Sequence, residues 1–344
     1  PTMIRMLQDL TGVDPQTIPL DSPEVMSLFQ NTSALGIEPE DIGGCKLGAL
    51  GIPEFGTDFA MQMLIDTKPQ AFSDLVRIAG LSHGTDVWLG NAQTLIQEGK
   101  ATISTAICTR DDIMTYLIGK GLDSEEAFTI MERVRKGAVA NGKCKEWPEY
   151  KQDMLDHGVP DWYVWSCEKI KYMFPKAHAA AYVMMAWRIA YCKVFYPLEY
   201  YASYFSIRAD DFSYRIMCFG KDKLDEYIED YKRRNDSLTN KDMRIVQEMY
   251  ARGFDFMPID LYKSHSRNFQ IVDGRLLPPF KSIDGLGETA ADSIYEAAKC
   301  GKFLSVEDFI DKAKVPKTSA AVMVELGILK GMSANNQLSL FDYM

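Results

Sequence analysis

The chain has 344 residues, of which 47% are hydrophobic and 11% aromatic, and its formal net charge is −10. This composition is too apolar for a disordered chain and allows about two folded domains. The sequence contains no run of 18 uncharged apolar residues and does not open with a signal peptide. We therefore expect a soluble, cytoplasmic protein that does not enter a membrane.

The predicted elements of the first 253 residues are mostly helices. The first covers 2–10, and the second covers 22–30 with Ser22 as its N-cap and Pro23 at its first position. A glycine-rich connection over 31–57 follows. Further helices are expected over 68–79, ending at Gly80, and over 86–97, 111–120, 124–136, 146–157, 161–173, 175–197, 198–208, 221–238 and 241–253.

The pattern changes after Gly253. Two stretches, 254–261 and 269–277, alternate in polarity, and Asp273-Gly274 is a typical hairpin turn. A helical stretch over 280–331 and a mobile tail from Ser333 complete the chain. The predicted fold class is therefore mainly α, with a small α+β domain after a boundary near residue 255.

The helix from Pro175 to Pro197 is expected to be the element around which the others are arranged. Residues at helical spacing predict one apolar face, made of Tyr182, Met185, Ile189 and Cys192. His178 and Tyr182 share one side, and Lys176 adds a donor at the helix start, where the backbone dipole favours an anion. A flat ring beside cationic donors suits a nucleotide, and an ordinary buried, capped helix is the alternative.

The residues of this helix also carry a family resemblance. Phe174-Pro-Lys-Ala-His-Ala-Ala-Ala-Tyr182, followed by Tyr196-Pro-Leu-Glu-Tyr-Tyr-Ala-Ser-Tyr-Phe205, closely resembles the fingers of C-family bacterial replicative DNA polymerases. These are the alpha subunits of DNA polymerase III, and the PolC type is the most similar. The stretch 9–21 looks like the end of that family's palm, and 77–88 looks like another fingers signature.

The resemblance runs in order through the whole chain and implies a domain organisation. Residues 1–20 would end the palm and 21–254 would form the multi-helix fingers domain. Residues 255–332 would form a small α+β duplex-binding domain with helix-hairpin-helix elements. Residues 333–344 would be a mobile tail that binds the sliding clamp.

For the fingers, the resemblance implies contacts with the incoming dNTP and the nascent base pair. The residues expected to make them are Arg77, His83, Phe174, Lys176, His178 and Tyr182. The small-residue link over 80–85 would bring backbone N–H groups and a guanidinium to a triphosphate. It lacks the spacing of a Walker loop, so a plain helix–helix turn with Arg77 in a surface pair is the alternative.

Three segments are expected to contact the DNA backbone. The first is a basic helix end with Arg133, Arg135 and Lys136, although such residues also simply complement a helix dipole. The second is a helix-hairpin-helix turn at Gly285, Leu286 and Gly287, whose alternative is an αα turn in a core. The third is a degenerate hairpin with Lys314 and Lys317. The acidic net charge requires such contacts to be local.

The tail contains a further motif, which resembles the sliding-clamp-binding pentapeptide of bacteria. It consists of Gln337, Leu338, Ser339, Leu340 and Phe341. Three apolar side chains in a polar tail are expected to be buried by a partner, and Gln337 would fix the register.

Catalytic and metal-binding residues are not expected in this chain. Asp111-Asp112 and Asp210-Asp211 are interpreted as helix caps or surface charge, because adjacent carboxylates diverge. The seven scattered cysteines lack Cys-x-x-Cys spacing, which predicts reduced thiols and no zinc site. The resemblance implies that the catalytic aspartates lie in the palm, upstream of Pro1. This chain would bind no cofactor, and the parent enzyme would use two Mg²⁺ ions.

We therefore expect an excised C-terminal part of a replicative DNA-directed DNA polymerase that is inactive alone. Its partners would be primer-template DNA, dNTP, the sliding clamp, and the palm and thumb of the polymerase, in the bacterial nucleoid. Two alternatives stay open. One is a helix-hairpin-helix DNA-repair enzyme, for which only Glu307, Asp308 and Asp311 follow the hairpin as catalytic candidates. The other is a non-catalytic DNA-binding clamp adaptor.

Overall fold

A computed structural model describes residues Thr2–Asn235 and Lys241–Asn336 of the chain. In this part the structure contains 17 α-helices, five short turns of 3₁₀- or π-helix and one two-stranded antiparallel sheet, which confirms the predicted mainly α class. The helices are α1 Thr2–Thr11, α2 Pro23–Ser27, α3 Asp58–Thr67, α4 Phe72–His83, α5 Gln93–Gln97, α6 Arg110–Gly119, α7 Ser124–Arg135, α8 Trp147–Asp156, α9 Asp161–Lys169, α10 Lys176–Phe195, α11 Pro197–Ile207, α12 Tyr214–Met217, α13 Lys221–Asn235, α14 Lys241–Ala251, α15 Glu288–Lys299, α16 Val306–Ala313 and α17 Lys317–Glu325.

The chain divides into two compact units. One comprises the described residues of 1–15, 36–45 and 195–344, and the other comprises 16–35 and 46–194. We call them the hairpin unit and the helical unit. The domain boundaries expected from the family resemblance stay a prediction. No helix of the described ranges is long and apolar enough to cross a membrane.

The central helix of the helical unit is α10, which was predicted within two residues at each end. Its buried side chains are Ala179, Val183, Ala186, Trp187, Ile189, Ala190, Cys192 and Lys193. The predicted apolar face was therefore partly wrong. Ile189 and Cys192 are buried, but Tyr182 is 48% exposed and Met185 is half-buried. The helix is rotated so that Val183 and Ala186 meet the core.

Two side chains of α10 fix the loops around it. The buried ammonium of Lys193 donates hydrogen bonds to the carbonyl oxygens of Gly48 and Leu50, both at 2.7 Å. The Trp187 indole donates to the Pro19 carbonyl at 2.8 Å, and its ring stacks on Phe29 with centroids 6.2 Å apart. The glycine-rich connection is therefore held to the central helix by hydrogen bonds that satisfy a buried cation.

The helix predicted over 68–79 begins later and passes through Gly80 to end at His83. Gly80 is needed for packing, because a Cβ there would lie 2.6 Å from Thr109 Cγ2 and 2.8 Å from the Cys108 carbonyl oxygen. Other predicted boundaries were also wrong. The predicted helix over 86–97 is interrupted at Leu89 and Gly90, which leave helical geometry, and α3 was not predicted.

In the hairpin unit, β1 Gln270–Val272 and β2 Arg275–Leu277 form the sheet, with Ile271 opposite Leu276. Asp273 and Gly274 join them with φ values of 50° and 73°. Positive φ at both turn positions is the geometry of a type I′ hairpin, so the predicted turn is confirmed.

The core beside the β-hairpin is made mostly by the segments that follow it, with Tyr214 added from α12. Its fully buried aromatic side chains include Tyr214, Phe280 and Phe309, and Leu286 and Val315 join it from two loops. Both loops precede a helix, so each of these helices starts at a point fixed by an apolar side chain.

Candidate functional site

Three rings of the helical unit form an aromatic cluster beside the start of α10. The ring centroids of His83 and Phe174 are 4.7 Å apart, those of His83 and Tyr182 are 6.0 Å apart, and those of Phe174 and Tyr182 are 6.1 Å apart. The three ring planes lie within 28° to 31° of each other. Tyr182 is 48% exposed and Phe174 is half-buried. The cluster therefore presents aromatic surface to solvent, where a base could stack.

The cluster is assembled by backbone pairing between two segments that are distant in sequence. The Thr85 N–H donates to the Tyr172 carbonyl at 2.8 Å, and the Lys171 N–H donates to the Thr85 carbonyl at 3.1 Å. Gly84 is required beside this bridge, because a Cβ would lie 3.0 Å from the Tyr172 carbonyl oxygen. His83 at the end of α4 is thereby brought against Phe174.

A residue that the sequence analysis missed also holds His83. The Glu54 carboxylate is hydrogen-bonded to His83 Nε2. Glu54 has a left-handed backbone with φ 71°, which is uncommon for a residue other than glycine. The only local signal was its place in a loop between Gly51 and Gly56, which does not indicate a partner.

Lys176 and His178 lie on the first turn of α10 with exposed side chains. Within the described ranges, the Lys176 ammonium makes no ion pair. The backbone N–H of Lys176 donates to the Asp111 carboxylate at 2.8 Å. The helix start that was expected to attract an anion is therefore already capped by one, and a ligand phosphate would meet the side chains instead.

Arg77 lies on α4, six residues before His83. Its Nη1 is 3.7 Å from Asp74 Oδ1, one turn earlier on α4, which is the surface pair that the alternative interpretation of Arg77 expected. It also shares a hollow of about 410 Å³ with Lys176. The hollow is lined by Arg77, Ser104, Thr105, Ala106, Asp111, Asp112, Thr115, Tyr116, Trp162, Tyr163 and Lys176. The residues predicted to contact the nucleotide therefore lie in two places. His83, Phe174 and Tyr182 form the aromatic cluster, whereas Arg77 and Lys176 line the hollow together with hydroxyl and carboxylate side chains.

At the predicted basic helix end, two of the three cations are engaged by one carboxylate. Arg135 and Lys136 both pair with Glu132, with Lys136 Nζ at 2.8 Å. The Arg135 hydrogen bond lowers the pKa of Glu132 to about 2 from its ordinary 4.5. Arg133 is exposed, as are Lys143 and Lys145 in the loop that follows. In the described part of the chain these three cations make no ion pair, so they are the ones open to a phosphate.

The predicted helix-hairpin-helix turn at 285–287 adopts the expected geometry at one of its two glycines. Gly285 has φ 80°, whereas Gly287 is extended and forms the N-cap of α15. Leu286 between them is 7% exposed and anchors the loop in the core. A carboxylate also lies at the start of α15, where Glu288 pairs with Lys281 at 2.6 Å and with Arg267 at 2.9 Å.

The second hairpin lies close to the first. Lys314 ends α16 in a left-handed conformation with φ 53°, and Lys317 begins α17. Both side chains are exposed, and neither makes an ion pair with a described residue. A hollow of about 220 Å³ joins the two turns and is lined by Ile283, Asp284, Gly285, Leu286, Thr318, Ser319 and Val322.

The beginning of the predicted tail is held by α16. Ser333 forms a parallel bridge with Ser305, and the buried Ser305 hydroxyl donates to Asn336 Oδ1 at 2.7 Å. This differs from the expectation of a mobile segment from Ser333 onward. The predicted clamp motif Gln337–Phe341 lies outside the described residues.

Of the two aspartate pairs, Asp111 and Asp112 act as caps, whereas Asp210 is surface charge, 3.7 Å from Lys241. Asp112 accepts hydrogen bonds from the Cys108 and Thr109 N–H groups at 3.1 and 2.8 Å, and Asp111 caps α10. Among the described residues, no group of three or more His, Cys, Asp or Glu side chains is arranged to hold a metal ion. The described residues therefore do not fit a two-metal centre.

Comparison with known proteins gives first the class of protein. Residues 1–158 match the family model of the finger domain of the bacterial DNA polymerase III alpha subunit. Residues 253–338 match the helix-hairpin-helix motif. The chain therefore combines a region similar to the finger domain of the bacterial DNA polymerase III alpha subunit with a region similar to a helix-hairpin-helix motif.

The relatives then define the family more closely. The chain is 50% identical to DNA polymerase III PolC-type from Caldanaerobacter subterraneus subsp. tengcongensis and from Clostridium perfringens. It is 52% identical to that from Oceanobacillus iheyensis. Each match covers 99% of this chain and 24% of the relative. Over nearly its whole length the chain is therefore similar to a part of PolC-type DNA polymerase III, as the resemblance implied, and it spans about a quarter of the length of these relatives.

Proposed function

We propose that this chain is the fingers and duplex-binding region of a PolC-type replicative polymerase. The whole enzyme would add dNMP to the 3′ end of a primer on a DNA template. The similarity that extends over 99% of the chain supports this proposal. This similarity favours a polymerase over the two alternatives. A repair enzyme would account only for the helix-hairpin-helix region, and a clamp adaptor would account only for the tail.

The observation that carries the nucleotide part of the proposal is the surface at the start of α10. Lys176, His178 and Tyr182 are all exposed there, beside the aromatic cluster. The aromatic cluster would stack against the nascent base pair, since one base on one aromatic ring contributes roughly 1–3 kcal/mol. The imidazole of His178 would provide a hydrogen-bond donor on the same turn.

The phosphates of the incoming dNTP would lie toward the hollow shared by Arg77 and Lys176. A guanidinium and an ammonium neutralise phosphate charge, which is most of what phosphoryl transfer requires from a protein. Asp111 and Asp112 line the same hollow, and they would repel a phosphate that approached the backbone at the helix start. The two cations would therefore contact the outer phosphate oxygens through their side chains.

The two hairpins would hold the duplex product through its backbone. Exposed N–H groups at the start of α15, together with Lys314 and Lys317, would contact phosphates without reading sequence. In the helical unit, Arg133, Lys143 and Lys145 would contact phosphates of the template or primer. The Gln337–Phe341 motif would tether the polymerase to the sliding clamp.

The chemical step would take place in the palm of the whole enzyme. Two Mg²⁺ ions bound there would neutralise charge on the attacking and leaving oxygens. The present chain would contribute orientation, by holding the base pair against a preformed surface. The enzyme would act in the bacterial cytoplasm, at the replisome.

One experiment separates the candidate functions. The purified chain is titrated into fluorescent primer-template DNA, and incorporation of labelled dNTP is measured in parallel. We expect salt-dependent binding in the anisotropy signal and no incorporation by the chain alone. Clamp binding without DNA binding would indicate an adaptor, base release from damaged duplex would indicate a repair enzyme, and incorporation would contradict a palm-based active centre.

A further inference from the structure

Glu54 has two features that a surface glutamate does not need. Its backbone is left-handed, with φ 71°, and its side chain reaches across to His83, 29 residues later in the chain. Strained backbone persists only where the surroundings determine it, and it is concentrated at functional sites. The strain of Glu54 therefore calls for a functional explanation.

The loop that carries Glu54 is rigid on both sides. Phe55 is 1% exposed and packs edge to face on Phe29 at 5.1 Å. Gly56 lies so close to the chain before it that a Cβ would be 2.8 Å from the Ile52 carbonyl oxygen. Lys193 of α10 holds the carbonyl groups of residues 48 and 50. The position of the Glu54 carboxylate is therefore fixed relative to α10.

This carboxylate determines the orientation of the His83 ring. An ionised carboxylate only accepts hydrogen bonds, so Nε2 of His83 carries the hydrogen. The imidazole side chain is 37% exposed, against 18% for that of Glu54. Without a partner at Nε2, the orientation of the ring would depend only on its contacts with Phe174 and Tyr182. With Glu54 in place, its plane stays 28° from that of Phe174.

We propose that Glu54 is a positioning residue, which holds His83 in the aromatic cluster so that the cluster meets the nascent base pair as a preformed surface. This rests on the proposed function of the cluster. Loss of Glu54 would require the ring to be ordered at each binding event, which corresponds to a loss of about threefold to tenfold in affinity. The effect would appear in KM for dNTP and leave kcat nearly unchanged.

The test uses the full-length polymerase and six variants, one of which is a control. Glu54→Ala removes the carboxylate, and Glu54→Gln keeps an oxygen that accepts the same hydrogen. Glu54→Gly removes the carboxylate and also relieves the backbone strain, so it folds at least as well as the parent. Together with Glu54→Ala, the variants His83→Ala and Glu54→Ala/His83→Ala complete a double-mutant cycle. Lys68→Gly is the matched control, because Lys68 also has a positive φ, of 49°, and is exposed at the end of α3.

We expect Glu54→Ala and Glu54→Gly to raise KM for dNTP by about threefold to tenfold, while Glu54→Gln stays near the parent value. The double variant should be no worse than His83→Ala, since Glu54 acts through His83. A normal KM for Glu54→Gly, or additive effects in the cycle, would overturn the positioning role. If His83→Ala itself leaves KM unchanged, the proposed function of the cluster fails instead.

Discussion

The Asp111 carboxylate accepts a hydrogen bond from the backbone N–H of Lys176, 65 residues later in the chain, at 2.8 Å. The start of α10 is therefore capped by a side chain from the start of α6. This bond satisfies one of the N–H groups at the helix start and places a carboxylate there, which disfavours the approach of a second anion. The consequence is that Lys176, His178 and Tyr182 would act on a nucleotide through their side chains.

Replacing Tyr182 tests the stacking role directly. In the full-length polymerase, Tyr182→Ala should raise KM for dNTP by about tenfold, because a base loses a stacking contact of roughly 1–3 kcal/mol. Tyr182→Phe keeps the ring and should stay within about twofold of the parent. Tyr227→Ala, at a 37% exposed tyrosine of α13, serves as the control. Equal KM values for Tyr182→Ala and Tyr227→Ala would exclude stacking on Tyr182.

The two glycines of the first hairpin should differ in their tolerance to alanine. Gly285→Ala forces a side chain onto a backbone with φ 80°, which costs about 1–2 kcal/mol. Gly287 is extended, and a Cβ there meets no atom within 4 Å, so Gly287→Ala should be nearly neutral. Urea unfolding and duplex titration at low salt provide the measurements. The hairpin assignment predicts that only Gly285→Ala weakens duplex binding, and equal losses for both variants would contradict it.

Lys314 and Lys317 should contribute charge to duplex binding. The double variant Lys314→Ala/Lys317→Ala should weaken binding on any sequence and reduce the slope of log K against log salt by about two. Lys312→Ala is the control, because Lys312 is already paired with Asp308 at 2.8 Å. An unchanged salt slope in the double variant would remove these lysines from the interface.

Lowering the pH should weaken the Glu132–Arg135 ion pair at the end of α7. The pKa of Glu132 is lowered to about 2 because Arg135 donates to its carboxylate, so the ionised form is stabilised in the folded state. This contribution is complete above the ordinary pKa of 4.5 and is lost as the pH falls from there toward about 2. Glu132→Gln should therefore lower the melting temperature at pH 7 and flatten its fall between pH 4.5 and 2. Glu226→Gln, at an exposed carboxylate of α13, serves as the control substitution, and a parent-like profile for Glu132→Gln would contradict this pairing.

The sequence by itself determined the features that depend on neighbours along the chain. The spacing of apolar residues and the two prolines predicted α10, and Asp273-Gly274 predicted the sheet turn. The glycine pattern at 285–287 predicted a hairpin before α15. Each of these results from interactions within a few residues, so local chemistry is sufficient to indicate them. The family resemblance also came from short stretches, 9–21, 77–88, 174–182 and 196–205.

Only the tertiary structure decided which side of α10 is buried and which residues meet at its start. Gly80 was read as a helix end, but it lies inside α4 because Thr109 packs against it. Glu54 reaches His83, and Asp111 caps α10, across 29 and 65 residues of sequence. Such contacts depend on how distant segments pack together, and no local pattern encodes that packing.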